Sequence, residues 1–165
     1  MTLDMQTPTS SSRRHALRWA AAGVAAVASG PLWAQRAPTA TAVEVWKDAS
    51  CGCCHDWITH MEQNGFAVTA HDGGNNAVRA RLGLAARYGS CHTALVGGYV
   101  LEGHVGAAEV RRLLRERPDA LGLAVPGMPV GSPGMDGAVY KGRRDRYDTL
   151  LVLRDGSSRV YQTHG

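Results

Sequence analysis

An α/β fold is predicted by three features of the sequence. Short alternating, β-branched segments recur along it. Stretches with apolar residues at helical spacing lie between them. Clusters of Gly, Pro and Asn punctuate the joins, so each segment has a turn signal at its end. The chain has 165 residues, 44% of them hydrophobic, which suits one domain with a real core. It has a single Phe, so that core rests on Leu, Val, Ala and the Trp/Tyr set.

"AVEVWKD", Ala42 to Asp48, alternates and reads as the first strand. A cysteine-rich loop follows, then "HDWITHMEQNG", where Trp57, Ile58 and Met61 fall at helical spacing and Gly65 is a stop signal. "FAVTAH" is a second strand and "DGGNN" a turn. "AVRARLGLAARYG", Ala77 to Gly89, carries a short helix and part of a second. "SCHTALVGGYVLEGHV" reads as a β-hairpin around Gly97-Gly98. "GAAEVRRLLRERPD" is the clearest helix, with Val110, Leu113 and Leu114 on one face, Arg111, Arg112, Arg115 and Arg117 on the wet side, and Pro118 as the stop. This is the βαβαββα order of a thioredoxin-like domain. "GLAVPGMPVGSPGMDG", Gly122 to Gly137, is too rich in Gly and Pro for a regular element, and "YDTLLVLRDGSSRVYQTH" reads as a terminal β-hairpin turning at Asp155-Gly156.

The N-terminus has the pattern of an export signal. Arg13, Arg14 and Arg18 precede an apolar run from about Trp19 to Ala28, and small residues lead to a cut near Ala34. The run falls short of the roughly 20 residues a spanning helix needs. "SRRHAL" is a loose twin-arginine signal, with Ala16 where a large apolar residue is usual, so both Tat and Sec export stay open. The expected division is an export signal over 1–34, a linker over 35–41 and a folded domain over 42–165. Removing the signal takes away three arginines and Asp4, lowering the formal charge from +4 to +2. That balance argues against nucleic acid as a partner. Export predicts a periplasmic protein with no stable membrane insertion after cleavage, in a compartment where disulfides persist.

"CGCCHDW" places Cys51, Cys53 and Cys54 in four positions. Cys51 and Cys54 have the spacing of a thiol–disulfide exchange site, and a helix starting there favours their thiolates. Cys53 sits where a simple oxidoreductase carries an ordinary residue, and adjacent Cys53 and Cys54 are poorly placed to pair. Cys91 opens the strand that a thioredoxin-like fold lays against this loop. Three or four thiolates with an imidazole suit Cu(I) or Zn(II), and clustered thiols allow more than one copper ion with shared sulfur. A redox dithiol, a soft-metal site and a pair of structural disulfides all remain open on these residues alone. Met128 and Met135 each follow Pro-Gly in a loop; their thioethers suit Cu(I) or simply fill apolar gaps. His104 ends the hairpin and is a candidate ligand; His92 adjoins Cys91, and His55 adjoins Cys54, where it could tune the thiol.

Together "CGCCHDW", "SCHTALVGGYVLEGHV" and "GLAVPGMPVGSPGMDG" resemble, in order and spacing, the small exported CGCC-motif family catalogued as a domain of unknown function, which includes the periplasmic copper-resistance proteins called CopG. The resemblance covers about Val43 to Tyr161; Asp136 stands where a Glu is common. It implies a thioredoxin-like fold, copper binding and interconversion between a disulfide form and a copper-loaded form. Carried over by motif, the metal thiols are Cys51, Cys53, Cys54 and Cys91, with His104, Met128 and Met135 as further ligands. The function expected is a periplasmic protein of copper resistance or homeostasis that binds Cu(I) through its Cys cluster, in more than one ion if thiolates are shared. Its partners are copper ions and other periplasmic copper-handling proteins, and copper–thiol redox activity through Cys51 and Cys54 is an open part of the reading. The rivals are a general thiol–disulfide oxidoreductase acting on proteins and a zinc-stabilised interaction module.

Overall fold

The structure, a computed structural model, describes residues 40–165. The expected export signal and residues 35–39 of the expected linker lie outside them. The elements are β1 (Thr41–Lys47), α1 (Gly52–Gln63), β2 (Phe66–Asp72), α2 (Asn76–Arg81), β3 (His92–Val96), β4 (Tyr99–Glu102), α3 (Ala107–Glu116), β5 (Gly122–Ala124), β6 (Tyr147–Val152) and β7 (Ser158–His164). The strands form one mixed sheet in the order β2-β1-β3-β4-β5-β6-β7. Among the described residues no helix is long and apolar enough to cross a membrane.

Alternation in β1 has the effect the sequence implies: Val43, Val45 and Lys47 are buried while Ala42 and Glu44 are exposed. The buried side faces α1, whose Cys54, Trp57 and Met61 turn inward one helical turn apart. Trp57 is fully buried and its indole N–H donates to the Val105 carbonyl at 2.9 Å. Burying a side chain of this size contributes about 3 kcal/mol. On α3, Ala107, Val110 and Leu113 join the same core, beside Leu101, Leu123 and Leu151 of the sheet. Neighbouring residues of those strands, Val100, Ala124 and Val152, face the other way and pack with Leu84 and Tyr88. Both faces of the sheet's middle are therefore covered.

The β3–β4 hairpin turns on Gly97 (φ +54) and Gly98 (φ +86), the two positive angles that a tight two-residue turn requires. α3 stops at Glu116; Arg117 takes a left-handed conformation and Pro118 follows. At the start of α3 the Glu109 carboxylate accepts the Gly106 N–H at 2.9 Å.

The segment after α3 departs from the expectation that 122–137 contains no regular element. Gly122–Ala124 forms β5, pairing parallel to β4 and antiparallel to β6. The reason is a close approach: a Cβ on Gly122 would lie 1.8 Å from the Val100 carbonyl oxygen. Only glycine lets these backbones pair, so the residue that reads as a breaker is what admits the strand. Through β5 the terminal hairpin β6–β7 extends the main sheet instead of standing apart. The expected α/β class holds, with seven strands where the βαβαββα order and the terminal hairpin together supply six.

Candidate metal centre

The centre forms where the β1–α1 loop meets the start of β3. Asp48 shapes the loop: its carboxylate accepts the Ser50 N–H (2.9 Å) and hydroxyl (2.6 Å), and its carbonyl accepts the Cys51 N–H (3.1 Å). Those Ser50 hydrogen bonds hold the Asp48 carboxyl below its ordinary range. Cys51 is the N-cap of α1, and its side chain makes no cap hydrogen bond. Cys51 and Cys54, three residues apart on the first turn, form a disulfide. Cys54 is fully buried, Cys51 half-buried. The Cys54 sulfur lies 3.6 Å from the Cys91 carbonyl oxygen. A disulfide sulfur carries no proton, so this becomes a hydrogen bond only when the bond is reduced.

Cys53 and Cys91 are free thiols, both half-buried. Cys53 Sγ is 3.6 Å from Cys51 Sγ and 3.7 Å from Cys91 Sγ. All four sulfur atoms lie within 4.8 Å of one another. The thiol convergence expected from topology is thus present: antiparallel pairing of β1 with β3, with Lys47 opposite His92, carries Cys91 to the cysteine loop.

Cys91 Sγ is flanked by two imidazoles, His92 Nδ1 at 3.3 Å and His104 Nε2 at 3.2 Å. The two differ in how they are held. His104 Nδ1 lies 2.8 Å from the Pro133 carbonyl, which only accepts, so Nδ1 carries the proton. Nε2 then presents its lone pair to Cys91, the tautomer of a metal-ligating histidine with an outer hydrogen-bond partner. Burial lowers the pKa of His104 and keeps the ring neutral. His92 is fully buried, its pKa pushed down to about 3 by burial and then by His104, and its Nε2 has no hydrogen-bond partner. Burial, and then Cys53, push the Cys91 thiol up to about 12. An uncharged, proton-bearing Cys91 between neutral rings needs a cation to displace its proton before it becomes a thiolate.

A buried polar network sets Cys91 in place from behind. Glu102, fully buried, accepts the Ser90 N–H (2.7 Å), Arg79 (2.8 Å) and the Thr93 hydroxyl (2.5 Å). Asn75 and Arg79 also donate to the Ser90 carbonyl, at 3.1 and 3.4 Å. Ser90, the residue preceding Cys91, is therefore fixed at both its backbone N–H and its carbonyl. Burial raises the Glu102 pKa and is the largest influence on it, while Thr93, Arg79 and Ser90 oppose it.

The Pro-Gly-Met loop covers the cysteine loop. Gly134, at φ +84, lies so close that a Cβ there would be 2.7 Å from both the Cys53 carbonyl oxygen and the Trp57 nitrogen. Met135 is buried, and its sulfur accepts the Tyr140 hydroxyl at 3.2 Å. Met128 is 53% exposed. The structure thus gathers Cys51, Cys53, Cys54, Cys91 and His104, brings the backbone beside Met135 onto Cys53, and leaves Met128 at the surface. His92 stands outside the ligand set that the motifs carry over; its signal in the sequence is adjacency to Cys91, and it is fully buried at the start of β3. The Arg79–Glu102 network has no local signal, because its members lie 23 residues apart.

As described, with Cys51 and Cys54 bonded to each other, two thiols and the imidazoles are left to bind a metal. Reduction releases two more sulfur donors into a cluster already within ligand range of itself. The donor set, thiolates with an aligned imidazole, fits a soft ion such as Cu(I).

A family model described as "Protein of unknown function, DUF411" matches residues 88–135. Two solved structures, both described as copper resistance protein CopG, resemble the chain. Form 2 is 47% identical, with a TM-score of 0.71, the match covering 76% of this chain and 99% of that one. Form 1 is 48% identical, with a TM-score of 0.70, covering 76% and 98%. No curated protein gives a significant match.

Proposed function

Because the chain belongs to the CopG copper-resistance family, we propose that it is an exported, periplasmic protein that binds Cu(I) through Cys51, Cys53, Cys54 and Cys91. The observation carrying this reading is the convergence of four sulfur atoms within 4.8 Å, with the His104 Nε2 lone pair directed at one of them. His104 is the nitrogen donor in this scheme. Met135, next to the Gly134 contact, and Met128 are its thioether candidates. Four sulfurs so close can share ions, which favours more than one copper per chain.

The disulfide gives the site a redox condition. Loading all four sulfurs requires that Cys51–Cys54 be reduced first, so the chain alternates between a disulfide form and a metal form. Electrons released by the dithiol can reduce Cu(II), giving a copper–thiol oxidoreductase. The strand order β2-β1-β3-β4, with β3 antiparallel to its neighbours and the dithiol at the start of α1, supports a thioredoxin-like core carrying this chemistry.

Anaerobic Cu(I) titration of the reduced protein tests the proposal, with X-ray absorption to count sulfur ligands. Uptake drops in Cys51→Ser/Cys54→Ser protein; unchanged uptake overturns the reading. A second reading, exchange with protein disulfides, is favoured by one observation: the half-exposed Cys51 sulfur at a helix N-terminus. Insulin reduction by metal-free protein would support it.

A further inference from the structure

We propose that Cys53 and Cys91 form a second dithiol–disulfide couple, so that the fully reduced centre stores four electrons, not the two held by Cys51 and Cys54. The inference rests on the copper reading for its oxidant, while its geometry stands alone. The chain has four cysteines, and all four are in this cluster. Once Cys51 and Cys54 are bonded, Cys53 and Cys91 are the remaining thiols, with their sulfurs 3.7 Å apart. A disulfide bond measures about 2.05 Å. A rotamer change at either cysteine moves its sulfur farther than the gap that must close. The two pairs share no residue, so neither bond consumes a sulfur of the other.

The environment fits the reaction. Cys53 rides on the first turn of α1, and Cys91 sits just before β3, so the new bond would tie the helix to the strand across 38 residues. The His104 Nε2 lone pair lies 3.2 Å from the Cys91 sulfur, an acceptor already in place for its proton. The oxidant is Cu(II). Two Cu(II) ions each take one electron, the Cys53 and Cys91 S–H bonds break, one S–S bond forms, and two protons leave, that of Cys91 through His104. The products are two Cu(I) and Cys53–Cys91 disulfide. With the Cys51–Cys54 couple included, four Cu(II) become four Cu(I). A centre that reduces copper thereby turns over as many ions as it has sulfurs before it needs an external reductant.

The test uses the full, reduced, metal-free chain under anaerobic conditions. Diamide oxidation is followed by intact mass and by disulfide mapping, and Cu(II) titration by a Cu(I)-specific chelator. The expected result with diamide is loss of four hydrogens from a monomer, with a Cys53–Cys91 linked peptide. The native chain should yield twice as much Cu(I) as Cys53→Ser, Cys91→Ser or Cys51→Ser/Cys54→Ser protein. Loss of only two hydrogens, with Cys53 and Cys91 still open to alkylation, overturns the proposal even if Cu(I) binds tightly. Loss of four with the linked peptide sustains the couple even if Cu(II) is not reduced; in that case copper reduction by the thiols fails, while Cu(I) binding is tested separately by titration.

Discussion

The two halves of the sulfur cluster are built by different means. The α1 half, Cys51 to Cys54, is local. Three cysteines share one helical turn, are held by an Asp48–Ser50 loop and include the half-exposed Cys51. The β3 half, Cys91 with His92 and His104, is assembled from strands and a distant loop and is braced by a fully buried carboxylate. The first half places sulfur on a helix N-terminus, where thiolate is favoured. In the second the thiol is half-buried like Cys51, and burial and then Cys53 push it up to about 12. One side is thus prepared to react and the other to wait, protonated, until a cation arrives.

Removing the brace should separate the halves most strongly. Arg79→Leu strands the Glu102 carboxylate without its ion-pair partner at 0% exposure. Loss of one member of a buried pair costs about 3–5 kcal/mol. Chemical denaturation would measure this, and alkylation of Cys91 should accelerate more than that of Cys53. Equal acceleration at both would erase the distinction.

Next in size is Gly134→Ala, which forces a Cβ to 2.7 Å from the backbone of both Cys53 and Trp57 at φ +84. The expected cost is about 1–3 kcal/mol, felt on the α1 half. The midpoint of Cys51–Cys54 reduction should shift with it, which a glutathione redox titration reads.

Acid should act on the β3 half. The pKa of His92 falls from 6.5 to about 3 and that of His104 is also lowered, so the native state binds fewer protons than the unfolded chain in this window. The His92 contribution is complete above pH 6.5 and is lost as pH falls towards 3, at up to ~1.4 kcal/mol per pH unit, and His104 acts in the same direction. Denaturation midpoints from pH 7 down to 4 check the slope, and His92→Phe should flatten it.

The smallest effect belongs to Asp48→Ala. It frees the exposed turn before Cys51, so global stability stays within error while alkylation of Cys51 in the reduced protein accelerates.

Much of this was legible in the sequence. Trp57 and Met61 on α1, Val110 and Leu113 on α3, and the Gly97-Gly98 turn each carry a local period or turn signal, and each element stands where that signal puts it. The α1 cysteines are legible for the same reason. Cys91 needed one further step, an assumed strand order, and β1–β3 pairing bears that step out. β5 was not legible, because its three residues give no period and Gly122 reads as a breaker until Val100 is known to lie against it. Nor were the Glu102 brace and the Pro133–His104 contact. Both join residues far apart in sequence, by hydrogen bonds that leave no trace in local pattern.

Consecutive residues Pro133 and Gly134 touch both halves at once, the first through the His104 Nδ1 proton and the second against Cys53. This sets an order in time. About 80 residues separate Cys53 from Gly134, and closing so long a loop has a larger entropic cost than closing a short one. As the chain emerges, Cys51 and Cys54 can meet within one helical turn, long before their cover exists. The helix dithiol is therefore the part of the centre that can assemble first, and the last third of the chain supplies its cover afterwards.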